Sequence, residues 1–124
     1  MNDDFETIAQ SWIKLQYAQE DSSEYGVHFW AYTNLDRMID EQPEQAVRLI
    51  NLIRAIDGSD VVLANLAAGP MEDLLVRHGE KIITQIIEIA QKDMQFRKLL
   101  GAVWQNEISD AVWREIQSVA QPSW

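Results

Sequence analysis

Apolar residues recur along this chain at steps of three and four, the period of amphipathic helices, with no sustained alternation of the kind a strand needs. Phe5, Ile8, Trp12 and Leu15 mark one face of a first helix from about Asp3 to Ala18, and the polar run Gln19 to Ser23 reads as a connection. A second helix follows from about Glu24 to Asp40 with Val27, Trp30, Ala31, Leu35 and Met38 inward, its start weakened by Gly26. Gln42-Pro43-Glu44 is a strong helix start, because proline in the first turn gives up only an N–H that lacks a partner there, and the acid favours the positive helix end. The third helix runs to about Ile56 with Ala46, Leu49, Ile50 and Ile53 inward. Asp57-Gly58 predicts a left-handed glycine cap, after which Ser59 caps a fourth helix carrying Val62, Leu63 and Leu66 and ending at Gly69.

Pro70 restarts the chain as a short fifth helix to about His78, with Met71, Leu74 and Leu75 inward and Gly79 closing it. Gly69 and Gly79 are both expected to serve as C-terminal caps with positive φ. The sixth helix carries Ile82, Ile83, Ile86, Ile87 and Ala90, a stripe widened by Ile89 and suited to neighbours on two sides. A seventh, from about Met94 to Trp104, carries Phe96, Leu99, Leu100 and Val103. The eighth starts at a Ser109-Asp110 cap, carries Val112, Trp113, Ile116 and Val119, and ends at Pro122. Set against itself at an offset of fifty, the chain aligns Leu49, Ser59, Asp60 and Val62 with Leu99, Ser109, Asp110 and Val112, so that segments 43–68 and 93–118 read as two copies of one hairpin. The expected fold is all-α, about eight short helices packed as hairpins in a HEAT-like stack or orthogonal bundle, with residues 1–124 forming a single domain.

Composition narrows the possibilities. The chain has 124 residues, 47% of them hydrophobic, enough for one core, and no cysteine, so neither a disulfide framework nor a thiolate metal site is available. No apolar run approaches the roughly 18 to 20 residues of a membrane span, and Met1-Asn2-Asp3-Asp4 has no basic leader character, so a cytoplasmic protein is expected. Net charge is −10 and unevenly spread. Residues 1–60 hold twelve acids against four bases, a balance of −8, while residues 61–124 hold eight acids against six bases, a balance of −2. Such a field repels nucleic acid and anionic lipid and speeds encounter with a cationic protein.

Candidate chemistry is sparse. His28 and His78 are the only histidines, and the chain has no HExxH, EF-hand loop, Walker A, GxSxG or GxGxxG pattern, so no metal, no cofactor and no catalytic set is expected. Glu24 and His28, four apart, can share a helix face as an ion pair, and His78 falls where a helix dipole favours a cation. Glu72-Asp73 invites an acid/base reading, but neighbours on a helix diverge by about 100° and a first turn favours acids anyway. Arg77 or Arg97 is expected to tie one of these acids internally. Of five tryptophans, Trp12, Trp30, Trp104 and Trp113 fall on inward stripes and Trp124 on none.

The run Leu66-Ala67-Ala68-Gly69-Pro70, Glu72-Asp73-Leu74-Leu75, His78-Gly79, with Phe96-Arg97, Leu99-Leu100-Gly101 and Val103-Trp104, resembles the signature of a family of small bacterial helical proteins of unknown function. The resemblance covers most of the chain from Trp30 onward and implies a single helical domain. A coarser, class-level likeness to HEAT-like immunity partners of bacterial toxins implies a neutralising role. Three classes of function follow: an immunity protein whose acidic surface covers a basic, nuclease-like toxin; a helical adaptor or regulatory subunit; and, as the remote case, an enzyme using Glu72, Asp73 and His78. The first is preferred. It predicts a basic protein partner, no nucleic acid and no membrane, and places the contact on Asp36, Asp40, Glu41, Asp57 and Asp60, which short loops are expected to bring onto one rim.

Overall fold

The computed structural model describes residues 4–121, and every regular element among them is helical. In chain order they are α1 (Phe5–Tyr17), α2 (Ser23–Glu41), α3 (Pro43–Ile56), α4 (Asp60–Leu66), a π-helical turn (Ala67–Met71), α5 (Glu72–Lys92), α6 (Met94–Gly101) and α7 (Asp110–Val119). Because α4, the π turn and α5 follow one another without a gap, the described residues form six continuous helical runs and not about eight. No helix among them is long and apolar enough to cross a membrane.

Most helix starts are set by side chains that satisfy first-turn N–H groups. Asp4 accepts from the Thr7 N–H at 2.7 Å, Ser22 from Tyr25 at 3.1 Å and Asp93 from Phe96 at 2.8 Å. Ser59 and Ser109 cap α4 and α7 through Val62 and Val112, as their sequence positions predict. Pro43 opens α3. Single residues, Gln42 and Asp93, separate α2 from α3 and α5 from α6, so these pairs turn in tight corners. Ile8, Trp12, Leu35, Ile50, Leu66, Leu74, Ile82, Phe96 and Ile116 meet in one continuous apolar core drawn from every helix.

Gly69 and Gly79 do not cap helices, and neither does Gly58 adopt the left-handed conformation: among the described residues no glycine has positive φ. The left-handed positions fall on Asp21 (φ 70°) and Asn106 (φ 42°), residue types that tolerate that region. At Pro70 a regular α-helix would set the pyrrolidine ring against the Leu66 carbonyl. Widening to a π turn relieves this without ending the helix. The widening also corrects the phase of the buried stripe. Leu63, Ala67, Met71, Leu75 and Gly79 are all buried at successive steps of four, and on an α-helix each such step drifts by about 40°.

The expected break at His78-Gly79 is a kink inside α5, with His78 at φ −136° and ψ 23°. Gly79 is there for space, since a Cβ on it would lie 3.0 Å from a Val112 methyl where α7 crosses α5. A second close approach occurs at Gly101, where a Cβ would run into the Gln121 carbonyl and where the Gln121 N–H donates to the Arg97 carbonyl at 3.0 Å. Because α6 ends at Gly101 and not at Trp104, the helical phase lapses there: Val103 is buried and Trp104 is 73% exposed. Val27, also expected inward, is exposed, because the inner face of α2 centres on Ala31, Leu35, Met38 and Ile39. Pro122 and Trp124 lie outside the described residues.

The two segments matched at an offset of fifty share their serine caps, and Leu49, Ile53, Val62 and Leu66 are buried like Leu99, Val103, Val112 and Ile116. Their lengths differ. The first helix has 14 residues in one and 8 in the other, and α4 continues into α5 where α7 has no such extension among the described residues.

Candidate partner-binding site

The outer face of α2 carries an aromatic ladder. Tyr25, Phe29 and Tyr32, spaced four and three apart, share one helix face, with ring centroids 5.8 Å apart for the first pair and 5.3 Å for the stacked second pair. Phe29 is 42% and Tyr32 49% exposed, although apolar rings of this size normally bury. The same face continues into Asp36 and Asp40, both exposed, and Glu41 is the last residue of the helix. Sequence reading missed this ladder because it followed only the inner stripe; the signal was there in the 25, 29, 32 spacing.

Below Tyr32 lies a small cavity of about 30 Å³ at the junction of α1, α2 and the π turn. Trp12 walls it from α1, Tyr32, Leu35, Asp36 and Ile39 from α2, Gly69 and Pro70 from the π turn, and Asp73 from the first turn of α5. The space suffices for a water or one small polar group. Trp12 is 2% exposed, and its indole Nε1–H is buried with no acceptor among the described residues. Burial pushes the Asp73 carboxyl above the ordinary aspartate value; Arg77 pulls it down, while the charges of Asp36 and Glu72 add to the rise. Asp36 and Asp73, thirty-seven positions apart in sequence, are therefore electrostatic neighbours here.

The five acids expected to share one rim fall into two groups. Asp36, Asp40 and Glu41 stand at the end of α2, where Asp40 approaches Arg77 of α5 at 4.0 Å. Asp57 and Asp60 stand beyond the far end of α3, a helix of 14 residues and so about 20 Å long. These two are engaged internally. Asp57 accepts from the Tyr17 hydroxyl at 2.8 Å and from the Ser59 N–H at 2.9 Å. Burial raises its carboxyl, but the Ser59 backbone and side chain and the Tyr17 hydroxyl outweigh it, leaving the pKa below the ordinary aspartate value. Asp60 accepts from Lys98 Nζ at 2.7 Å.

The residues of the enzymatic alternative are likewise dispersed. Glu72 accepts from the Asn106 side chain at 3.0 Å, Asp73 walls the small cavity, and His78 lines an open groove of about 380 Å³ with Lys81 and Ser109. Nor is Arg97 a tie for either acid; it donates to the Ala90 carbonyl at 2.9 Å and steadies the end of α5. His28 pairs with Ser11 at 3.2 Å across α1 and α2, and no bond joins it to Glu24. Among the described residues no three His, Cys, Asp or Glu side chains are grouped to hold a metal ion.

The described residues thus form an all-helical domain whose α2 carries an acid-flanked aromatic ladder. A family profile matches residues 18–123, and the chain belongs to that family, described as a family of unknown function (DUF6869). Neither a curated protein nor a solved structure matches it.

Proposed function

We propose that the protein is a non-enzymatic binding protein whose partner is a basic protein docked on the outer face of α2. The observation that carries this reading is the ladder of half-buried Tyr25 and exposed Phe29 and Tyr32 running directly into Asp36, Asp40 and Glu41. Rings supply contact area at little entropic cost, and acids beside them select a cationic partner and speed its approach. The surplus of acids in residues 1–60 extends that field over the same half of the chain. Asp57 and Asp60 drop out of the contact, since their carboxylates already serve the protein's own corners. In its most specific form the proposal is an immunity protein, cytoplasmic, whose acidic face covers the positive substrate groove of a nuclease-like toxin.

A photo-cross-linking residue placed at Phe29 in the native cells, with a second at exposed Ala111 on α7 as control, tests the reading. Position 29 is expected to capture a basic protein that position 111 does not, and Asp36→Lys with Asp40→Lys should reduce that capture at low salt. Capture that is equal at both positions, or indifferent to the charge reversals, would overturn it.

A further inference from the structure

Two features of the cavity beside the ladder are unusual for a structural void. Residues that carry polar groups of both kinds line it, Trp12 with a donor and Asp36 and Asp73 with acceptors, and the Trp12 Nε1–H is buried without an acceptor among the described residues. A buried donor left unpaired costs on the order of 1–3 kcal/mol. Part of its wall, Gly69 and Pro70, belongs to a π turn, a distortion that recurs at functional sites.

The inventory of groups defines what would fit. A cation satisfies the two carboxylates but offers nothing to the indole N–H, because ammonium and guanidinium groups have no acceptor. A carboxylate accepts from the indole but meets Asp36 and Asp73 as a like charge. A primary carboxamide offers one carbonyl oxygen for Trp12 and two N–H donors for the two aspartates, and the Tyr32 hydroxyl, which both donates and accepts, is compatible with either end of it. Its few heavy atoms suit a space of about 30 Å³.

We propose that the Trp12 Nε1–H faces this cavity and that the cavity receives the side-chain carboxamide of an asparagine or glutamine on the protein docked along α2. This rests on the docking reading above. The ladder holds the partner, and the pocket at its lower end reads one residue of it, with rejection of aliphatic replacements following from the polar groups they would leave unpaired.

The probe is acetamide, titrated into the ¹⁵N-labelled full chain while the Trp12 indole resonance, assigned by its loss in Trp12→Phe, is followed. Acetamide is expected to shift that resonance saturably. N,N-dimethylacetamide, which lacks the N–H donors, and methylguanidinium, which lacks the acceptor, should act at least tenfold more weakly. Asp73→Ala and Asp36→Ala, each checked for unchanged circular dichroism, should weaken the acetamide response. An equal response to dimethylacetamide, a stronger response to methylguanidinium, or no response to any probe each overturns the proposal. Failure of the docking reading is separate: the cross-link at Phe29 would be absent while the acetamide shift remained.

Discussion

At the corner between α3 and α4 the Asp57 carboxylate accepts from the Tyr17 hydroxyl and the Ser59 N–H, whereas at the π turn Asp73 lies half-buried beside a second aspartate, and the indole N–H of Trp12, a residue that lines the same cavity, has no acceptor among the described residues. The first corner lowers its acid's pKa and the second raises it. An acid whose partners belong to its own chain contributes to the fold. One held against burial and like charge works against the fold, and its ionised form costs the domain stability.

The comparison sharpens first at a third corner, where an acid is held by an arginine of its own chain. Arg54, with its side chain 13% exposed, reaches Asp93 at 2.9 Å and also donates to Asn51 and Gln95, tying α3 to the α5–α6 corner. Arg54→Ala should lower stability by about 2 kcal/mol in urea unfolding, because it strands a partly buried carboxylate. A loss below about 0.5 kcal/mol would mean that these corners are not what holds the domain together.

Asp57→Ala should cost about 1 kcal/mol at neutral pH, the size of a lost hydrogen-bonded corner. The sign of its pH dependence follows from the lowered pKa. The carboxylate contributes fully above the ordinary aspartate value of 3.8, and its contribution disappears as pH falls through the lower folded value. Melting curves of wild type and variant should therefore converge in acid. Asp73→Asn should do the reverse, raising Tm at neutral pH by less than Asp57→Ala lowers it. Here the folded state takes up a proton more readily than the unfolded one, so the penalty is complete above the raised folded value and absent below 3.8. If both variants shift Tm in the same direction at pH 7, the two corners are alike and the contrast fails.

The smallest effect belongs to the rim. Asp40→Lys removes an exposed pair with Arg77 at 4.0 Å and should leave unfolding unchanged within about 0.5 kcal/mol. That makes it a usable binding variant; a larger loss would place Asp40 among the structural acids.

How far the sequence foretold this depended on whether a signal was local. Pro43 at the start of α3 and the serine caps at 59 and 109 act within one turn, and all three held. Gly69-Pro70 misled, because proline ordinarily ends a helix, and only the burial of Ala67 and Met71 on both sides of it keeps the chain helical through a wider turn. Trp104 misled for the opposite reason, an assumed phase running on past the end of α6. Of the proposed binding surface, the acids of α2 were legible from charge alone, and the ladder was legible but unread. The proximity of Asp36 to Asp73, and of Trp12 to both, comes from packing α1, α2 and α5 around the π turn, which no stretch of sequence carries by itself.

That π turn amounts to a spare residue. From Leu63 to Gly79 the chain uses sixteen steps where fifteen would keep a plain α-helix on the same face to within about 60°. A chain shortened at exposed Ala68, with alanine in place of Pro70, could therefore still present the same side of α5 to the core. What it would lose is the bulged wall over Trp12. The spare residue thus lets Pro70 stand inside a continuous helical run while Ala67 and Met71 on either side of it stay in the core.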